Sequence, residues 1–364
     1  MWGIIKTIAF MKIFIASTVV LFLLITSCAG DASKEGFNTA TGKVGEILVV
    51  TENGVWESDI RECLDSNLTQ WIMPYFPDVA TFELIHKTPA HFEKGVKSYR
   101  NILFVKIDPE FEGEKGKIVK HNDVWARGQV VIDITAKDYA QLEATCVAGL
   151  DEVHDIYDQS SWERLITYFD SYNNKDVQKA IAEEYGIEIS LPARTTIVTK
   201  RNRVYRLEFP PSSRPMQFEA SGGSSEDIGQ IFSGLVIYDY DFVDSTQFDF
   251  ERLLRRRDTT LKYAVPHEID GLYMGTQYSE LVYPEGNWAE SADGKVTGYD
   301  IRGMFVFTGK PIHSTGGAFW EFHFKHPKRN KMMCLSGYVD APPTTSWTQP
   351  LREVQAILRS VKIK

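Results

Sequence analysis

The apolar run from Ile13 to Ile25, IFIASTVVLFLLI, takes the first part of the chain out of the fold before any other pattern is considered. Thirteen residues are too few to cross a bilayer as a helix, but they suit the apolar centre of a signal peptide with Lys12 as its basic flank. Ile25-Thr26-Ser27-Cys28 follows and resembles a lipobox, where small residues precede a cysteine that is acylated and becomes the new amino terminus. Leu usually stands first and Ala or Gly usually precedes the cysteine, so Ile25 and Ser27 are mild departures. Residues 1–27 are read as a signal peptide, Cys28 as the lipidated residue carrying palmitate-type chains, and residues 28–42 as a polar tether. Met11-Lys12 opens a signal of normal length, so Met11 rather than Met1 is the expected start. A membrane anchor over Ile4 to Ile25 would have to bury Lys6 and Lys12.

Each buried methylene contributes about 0.8 kcal/mol, so one acyl chain holds weakly and two or more hold stably. Ala29 follows Cys28, so the Asp that signals inner-membrane retention is absent and the outer membrane is the expected address. The segment Ala29–Glu35, AGDASKE, is only weakly acidic and leaves both the periplasmic side and the cell surface open.

With 43% hydrophobic and 24% charged residues, the chain is neither disordered, collagen-like nor a polytopic membrane protein. Its formal charge of −9 argues against a nucleic-acid partner, which needs a basic surface. Beyond Cys28, Cys63, Cys146 and Cys334 are three and far apart, so no disulfide framework is expected. Cys63 and Cys146 fall on apolar helical stripes and read as buried thiols.

The pattern predicts an α+β protein, mostly antiparallel sheets packed with helices, in two loosely similar halves at 43–188 and 189–364. In the first half, Glu46–Val50 is a short buried strand. Trp56, Ile60, Leu64, Leu68, Trp71 and Ile72 then mark a helix that stops before Pro74. Strands follow near 81–86, 101–107 and 128–135. A helix carries Tyr139, Leu142, Cys146, Leu150, Val153 and Ile156, with more helix at 161–170 and at 175–185 up to Gly186. In the second half, strands are predicted near 194–199, 203–209 and 230–238, with loops at 210–215 and 221–225 and a helix over 246–260. In 318–325, Trp320, Phe322 and Phe324 face one way and Glu321, His323 and Lys325 the other, the pattern of a half-buried antiparallel strand. It pairs with 334–340, and Pro350 opens a last helix with Leu351, Val354, Leu358 and Val361 inward. The strand-to-helix joint at 129–146 echoes the one at 334–354 in pattern.

Thr41-Gly42-Lys43 before Glu46–Val50, Trp125-Ala126 and Gln129, Tyr273-Met274, Arg302-Gly303 and Gly316-Gly317-Ala318-Phe319, in that order behind Cys28, give the chain its family likeness. It resembles the domain-of-unknown-function family 4837, lipoproteins of Bacteroidetes-type envelopes, over most of the mature chain. The resemblance implies a location; it supplies no activity and no catalytic residues.

Several clusters could carry chemistry. Asp151, His154, Asp155 and Asp158 share one helix face and form a ligand set for a metal, or simply a solvated face. Asp239, Asp241, Asp244 and Asp249 surround a strand-to-helix joint. Without the glycine and glutamate of an EF-hand, they read as helix caps. His323 and His326 point to opposite faces of a continuous strand, and could reach one site only if the strand ends at about Lys325, which Pro327 permits. Arg252, Arg255, Arg256 and Arg257 suit a helix C-terminus and could meet anionic lipid. No His-Glu-x-x-His, Gly-x-Ser-x-Gly or phosphate-loop motif occurs. Tyr238, Tyr240, Gly316, Gly317, Phe319 and Trp320 mix rings with tight backbone and form the expected binding surface, or else core beside a hairpin.

The leading expectation is a lipid-anchored envelope protein that is not an enzyme, needs no cofactor and docks with another envelope protein as an accessory subunit of an outer-membrane assembly. A glycan-binding or glycan-processing module is the alternative. A metal-dependent hydrolase built on Asp151 and His154 is the third.

Overall fold

The computed structural model describes residues 38–364, apart from 221–222, 268, 311–314 and 343–344. Cys28, the expected signal peptide and most of the expected tether lie outside the described residues. Among the described residues are sixteen strands and six α-helices, an α+β fold whose sheets are mostly antiparallel.

The first sheet is the exception to that pairing. Strands β1 (Glu46–Val50), β2 (Glu83–Lys87), β3 (Asn101–Ile107), β4 (Lys117–Asn122) and β5 (Val130–Ala136) lie in the order β2-β1-β3-β5-β4, and every pairing is parallel except β4 with β5. The continuous burial of Glu46–Val50 is what a strand covered on both faces requires. Helices α1 (Asn53–Trp56) and α2 (Asp59–Leu68) cross from β1 to β2. They pack with α3 (Tyr139–Ser171) on one face through Ile60, Leu64, Cys146, Leu150 and Val153. The other face is covered by Phe92, Val96, Tyr99 and Trp125 from loops.

Helix α3 runs unbroken for 33 residues, about 50 Å at 1.5 Å per residue, where two shorter helices were expected. Between the two expected helices, Ser160 and Ser161 turn their hydroxyls onto the Tyr157 carbonyl of their own helix. The last turns carry Leu165, Ile166 and Phe169 out of the first core and into the second.

Helix α4 (Lys175–Tyr185) ends at Gly186, whose φ of 70° suits glycine and against which the Arg329 guanidinium packs. The second half then contains β6 (Ile187–Glu188), β7 (Thr196–Arg201), β8 (Val204–Glu208), β9 (Ser212–Ala220), β10 (Gly223–Asp241), α5 (Phe250–Ala264), β11 (Leu272–Thr276), β12 (Glu285–Glu290), β13 (Thr297–Gly309), β14 (Gly316–Lys325), β15 (Lys331–Asp340), α6 (Thr348–Arg359) and β16 (Lys362–Ile363). Nine of these strands form an antiparallel sheet along β11-β13-β14-β15-β10-β8-β7, with β12 on β13 and β9 on β10. The loops expected at 210–215 and 221–225 fall largely within the β9–β10 hairpin.

One face of this sheet, with Trp320, Phe322, Phe324 and Leu335, meets α4, α6 and the end of α3. The opposite face, with Val236, Tyr238, Phe319 and Cys334, meets α5 through Leu253, Leu254 and Leu261. The period-two reading of β14 therefore holds, but the strand is central and covered on both faces rather than half-buried. The expected likeness of the two halves stops at the strand-to-helix joint, since one sheet is largely parallel and the other antiparallel.

The halves interlock. Ile72, Tyr75 and Val79 from the first half sit in the core of the second, and the Tyr75 hydroxyl donates to the Phe319 carbonyl at 3.0 Å. Arg352 on α6 donates to the Thr81 carbonyl at 3.0 Å and pairs with Asp158 on α3.

His326, just past β14, accepts a bond from the Lys328 amide at Nδ1 and reaches the Gly186 carbonyl with Nε2. That arrangement suits the neutral ring, and burial pushes its pKa below the ordinary 6.5, helped by Arg329 and Lys328. A base whose folded pKa is depressed binds fewer protons folded than unfolded, so its contribution to stability is lost as pH falls below 6.5 toward the folded value. Melting curves between pH 7.5 and 5.0 should show that loss, and His326→Asn should flatten it; an unchanged slope would remove His326 as its source (the pH limits are set roughly by the histidine range).

Candidate functional site

The most unusual polar grouping lies between the nine-stranded sheet and α5. Glu321 and His323 are two apart on β14 and share the face toward the helix. Cys334 on β15 is directly across from His323, and Tyr238 on β10 is directly across from Cys334. Three adjacent strands thus set these side chains in a row. From α5, Arg257 reaches down over the Phe319 ring, 3.7 Å from its centroid. Arg257, Glu321, His323 and Cys334 are all 0% exposed.

His323 Nε2 lies 2.8 Å from Glu321 Oε2 and 3.6 Å from Cys334 Sγ. Arg257 Nε lies 3.0 Å from Glu321 Oε1, an ion-pair contact whose N–H is not aimed at the oxygen, and its Nη1 donates to Thr276 Oγ1 at 2.8 Å. Burial alone would raise the Glu321 pKa, but the His323 bond and the Arg257 charge outweigh it and hold the carboxyl below its ordinary range. Burial pushes the Cys334 thiol and the Tyr238 phenol far upward. His323 Nδ1, Glu321 Oε1 and two Arg257 nitrogens have no hydrogen-bond partner, and the Tyr238 hydroxyl meets only the Cys334 thiol, without a well-formed bond.

A cysteine, a histidine and a glutamate at these distances invite comparison with a nucleophilic triad, and the geometry rejects it. In such a triad the nucleophile meets one ring nitrogen and the carboxylate the other. Here Cys334 and Glu321 both meet Nε2, while Nδ1 meets neither. The thiol is held protonated and sealed from substrate.

The outer side of α5 carries a second feature. Arg252, Arg255, Arg256 and Thr259 share one helical face and, with Tyr240 and Gln247, line a cavity of about 360 Å³. Arg256 stacks over Tyr240 at 4.4 Å, and Arg252 donates to Thr246 Oγ1 at 2.6 Å. Asp244 lies close enough for Arg252 to lower its pKa, after the larger effect of its bonds from Thr246. The Arg255 guanidinium has no hydrogen-bond or ion-pair partner among the described residues. The run expected to act as one basic patch is therefore split, with three arginines outward and Arg257 inward.

The other expected sites resolve as follows. Tyr238, Phe319 and Trp320 are 2%, 0% and 5% exposed, Gly317 is buried, and Tyr240 and Gly316 are half-buried. They are core rather than a recognition surface, because α5 covers one face of the sheet and α4 with α6 the other. Asp151, His154, Asp155 and Asp158 do not converge on a metal. Asp158 pairs with Arg352, Asp155 is exposed, and His154 Nε2 lies 3.3 Å from Thr81 Oγ1 with its pKa lowered by burial. They also sit mid-helix, away from the C-terminal dipole. Asp244 and Asp249 cap the 3₁₀ turn and α5 as expected, while Asp239 pairs with Arg203 and Asp241 with Lys331. His323 and His326 point to separate sites. Cys146 is buried and Cys63 partly so.

Sequence reading missed the Arg257–Glu321–His323–Cys334 grouping because it placed Glu321 and His323 on the outer face of their strand. The usable signal was the predicted hairpin, which already set β14 against β15 and Cys334 near His323.

An antiparallel sheet clasped between helices, with a charged cluster sealed under one of them, defines the second half as an α+β module. Residues 174–360, just over half of the chain, match the family model Domain of unknown function (DUF4837), and the chain belongs to that family. Residues 40–170 match a second model, Domain of unknown function (DUF8532), so the N-terminal segments of the likeness, at 41–50 and 125–129, fall in that match. The two matches meet between 170 and 174, at the joint of α3 and α4. No curated protein matches the chain.

Proposed function

We propose that the chain is a non-enzymatic binding protein, held to the outer membrane by acylated Cys28, that recognises an anionic group of a neighbouring envelope component through the arginine cleft on α5. The observation that carries this reading is the cleft itself: on a chain of net charge −9, three exposed arginines share one helical face, and one of them has no acidic partner. Guanidinium forks match phosphate and carboxylate geometry, and Tyr240 stiffens the cleft by holding Arg256 flat. The sequence around Cys28 supports the anchor.

Titration of the purified chain with inorganic phosphate, followed by amide chemical shifts, tests the cleft. Shifts should centre on Arg252–Thr259, and Arg255→Ser or Arg256→Ser should weaken binding about tenfold each, the loss expected of one charge-assisted hydrogen bond. Shifts absent from α5 at millimolar phosphate would overturn the reading of the cleft. Cys28→Ala should release the protein from the membrane fraction; retention would overturn the anchor.

The glycan reading keeps one specific observation. Trp288 is 57% exposed, and Tyr278 and Tyr283 stand half-exposed on the other side of α5, bonded to Asp258 and Glu251. Binding on a glycan array that is lost in Trp288→Ala would favour it over the anion cleft.

A further inference from the structure

We propose that Glu321, His323 and Cys334 form a structural zinc site beneath α5, with Tyr238 at the fourth position. Among the described residues, these three are the only group of metal-ligating side chains whose ligand atoms gather, all within 4.8 Å of one another. Tetrahedral zinc, with Zn–N of about 2.0–2.1 Å and Zn–S of about 2.3 Å, places nitrogen and sulfur ligands about 3.5 Å apart. His323 Nε2 and Cys334 Sγ stand 3.6 Å apart. The Nε2 to Glu321 Oε2 distance of 2.8 Å is somewhat shorter than a shared ion requires, so the carboxylate moves outward by a few tenths of an ångström on binding.

A second observation is independent of these distances. The Tyr238 hydroxyl is buried, next to Cys334 by strand register, and its one polar neighbour is the Cys334 thiol itself, with which it makes no well-formed hydrogen bond. A buried polar atom left unpaired costs about 1–3 kcal/mol, and a cation among these ligands would take up its lone pair. Sulfur with imidazole and a single carboxylate suits zinc, whereas calcium and magnesium call for oxygen ligands.

The charges balance. Zinc binding at Cys334 breaks the S–H bond, forms Zn–S and releases one proton to solvent; thiolate and the Glu321 carboxylate together then offset the ion, and Asp258 Oδ1, 3.6 Å from Arg257 Nη1, offsets the guanidinium. Arg257 stays beside the far oxygen of Glu321 and holds it by charge, an outer partner to the ligating carboxylate. Because all three ligands are sealed from solvent, the ion enters as the sheet and α5 close, and binding stabilises the fold.

The test is elemental analysis of the full chain purified without chelator, together with melting curves after refolding in zinc or in EDTA. About one zinc per chain is expected, as for a closed structural site, with a higher melting temperature in zinc. Cys334→Ala and His323→Gln should each cut zinc retention about tenfold or more, while Cys63→Ala/Cys146→Ala keeps it. Refolding that double variant with Cys28→Ala added, in cobalt, should give a thiolate-to-cobalt charge-transfer band, which then requires Cys334 and does not depend on whether a ligand variant folds. Wild-type protein that is equally stable in zinc and EDTA and carries no zinc overturns the proposal. So does bound cobalt without the charge-transfer band.

Discussion

Arg257→Met is expected to lower the free energy of unfolding by about 3–5 kcal/mol, the cost of removing one partner from a buried ion pair. Arg257 and Glu321 are both wholly buried, and no other cation is positioned to take over Oε1. Met keeps a stem of similar volume and loses the guanidinium that lies over the Phe319 ring, so the loss reads the charge, with its ring contact, rather than a cavity. With the metal removed by EDTA, Arg257→Met/Glu321→Gln should recover most of it, since the uncompensated charge is gone from both sides. Urea denaturation midpoints compare the three proteins directly. A single variant within about 1 kcal/mol of wild type would mean that Glu321 is neutral in the fold or held by another cation.

Arg352→Met should cost about 3 kcal/mol, toward the lower end because the Asp158 side chain keeps about a quarter of its exposure. This guanidinium is 1% exposed, contacts Asp158 and Gln355, donates to the Thr81 carbonyl and lies over the Phe82 ring at 4.9 Å. All of these except Gln355 belong to the first half. The variant should therefore weaken the junction as well as the total: tryptophan fluorescence and far-ultraviolet circular dichroism, coincident in wild type, should separate along the urea axis. Coincident curves at unchanged midpoint would show that Arg352 does not join the halves.

Local patterns were readable where the chain itself decides. Gly186 ends α4 because the turn needs a positive φ, the run at 101–107 is β3 to the residue, and Leu351, Val354 and Leu358 face inward on α6. What could not be read depends on partners distant in sequence. Alternation along 318–325 tells which side chains share a face; whether Glu321 and His323 meet water depends on α5, which begins some seventy residues earlier. The same covering turned Tyr238, Phe319 and Trp320 from a platform into core. Parallel pairing of β1, β2, β3 and β5 was hidden for a related reason, since direction is set by crossovers and only the unbroken burial of Glu46–Val50 hints at it. The metal grouping crosses two strands, with Tyr238 supplied by a third, so no short motif announces it.

Ile72, Tyr75 and Val79 fill a hollow that belongs to the opposite half, and the tail of α3 does the same from another direction. Neither piece has a sealed exterior without its mate. The border between 170 and 174 is a seam in the text of the polypeptide and not in its mechanics: a gene cut there would yield a fragment with an oily wound, and a nicked chain would still travel as one body.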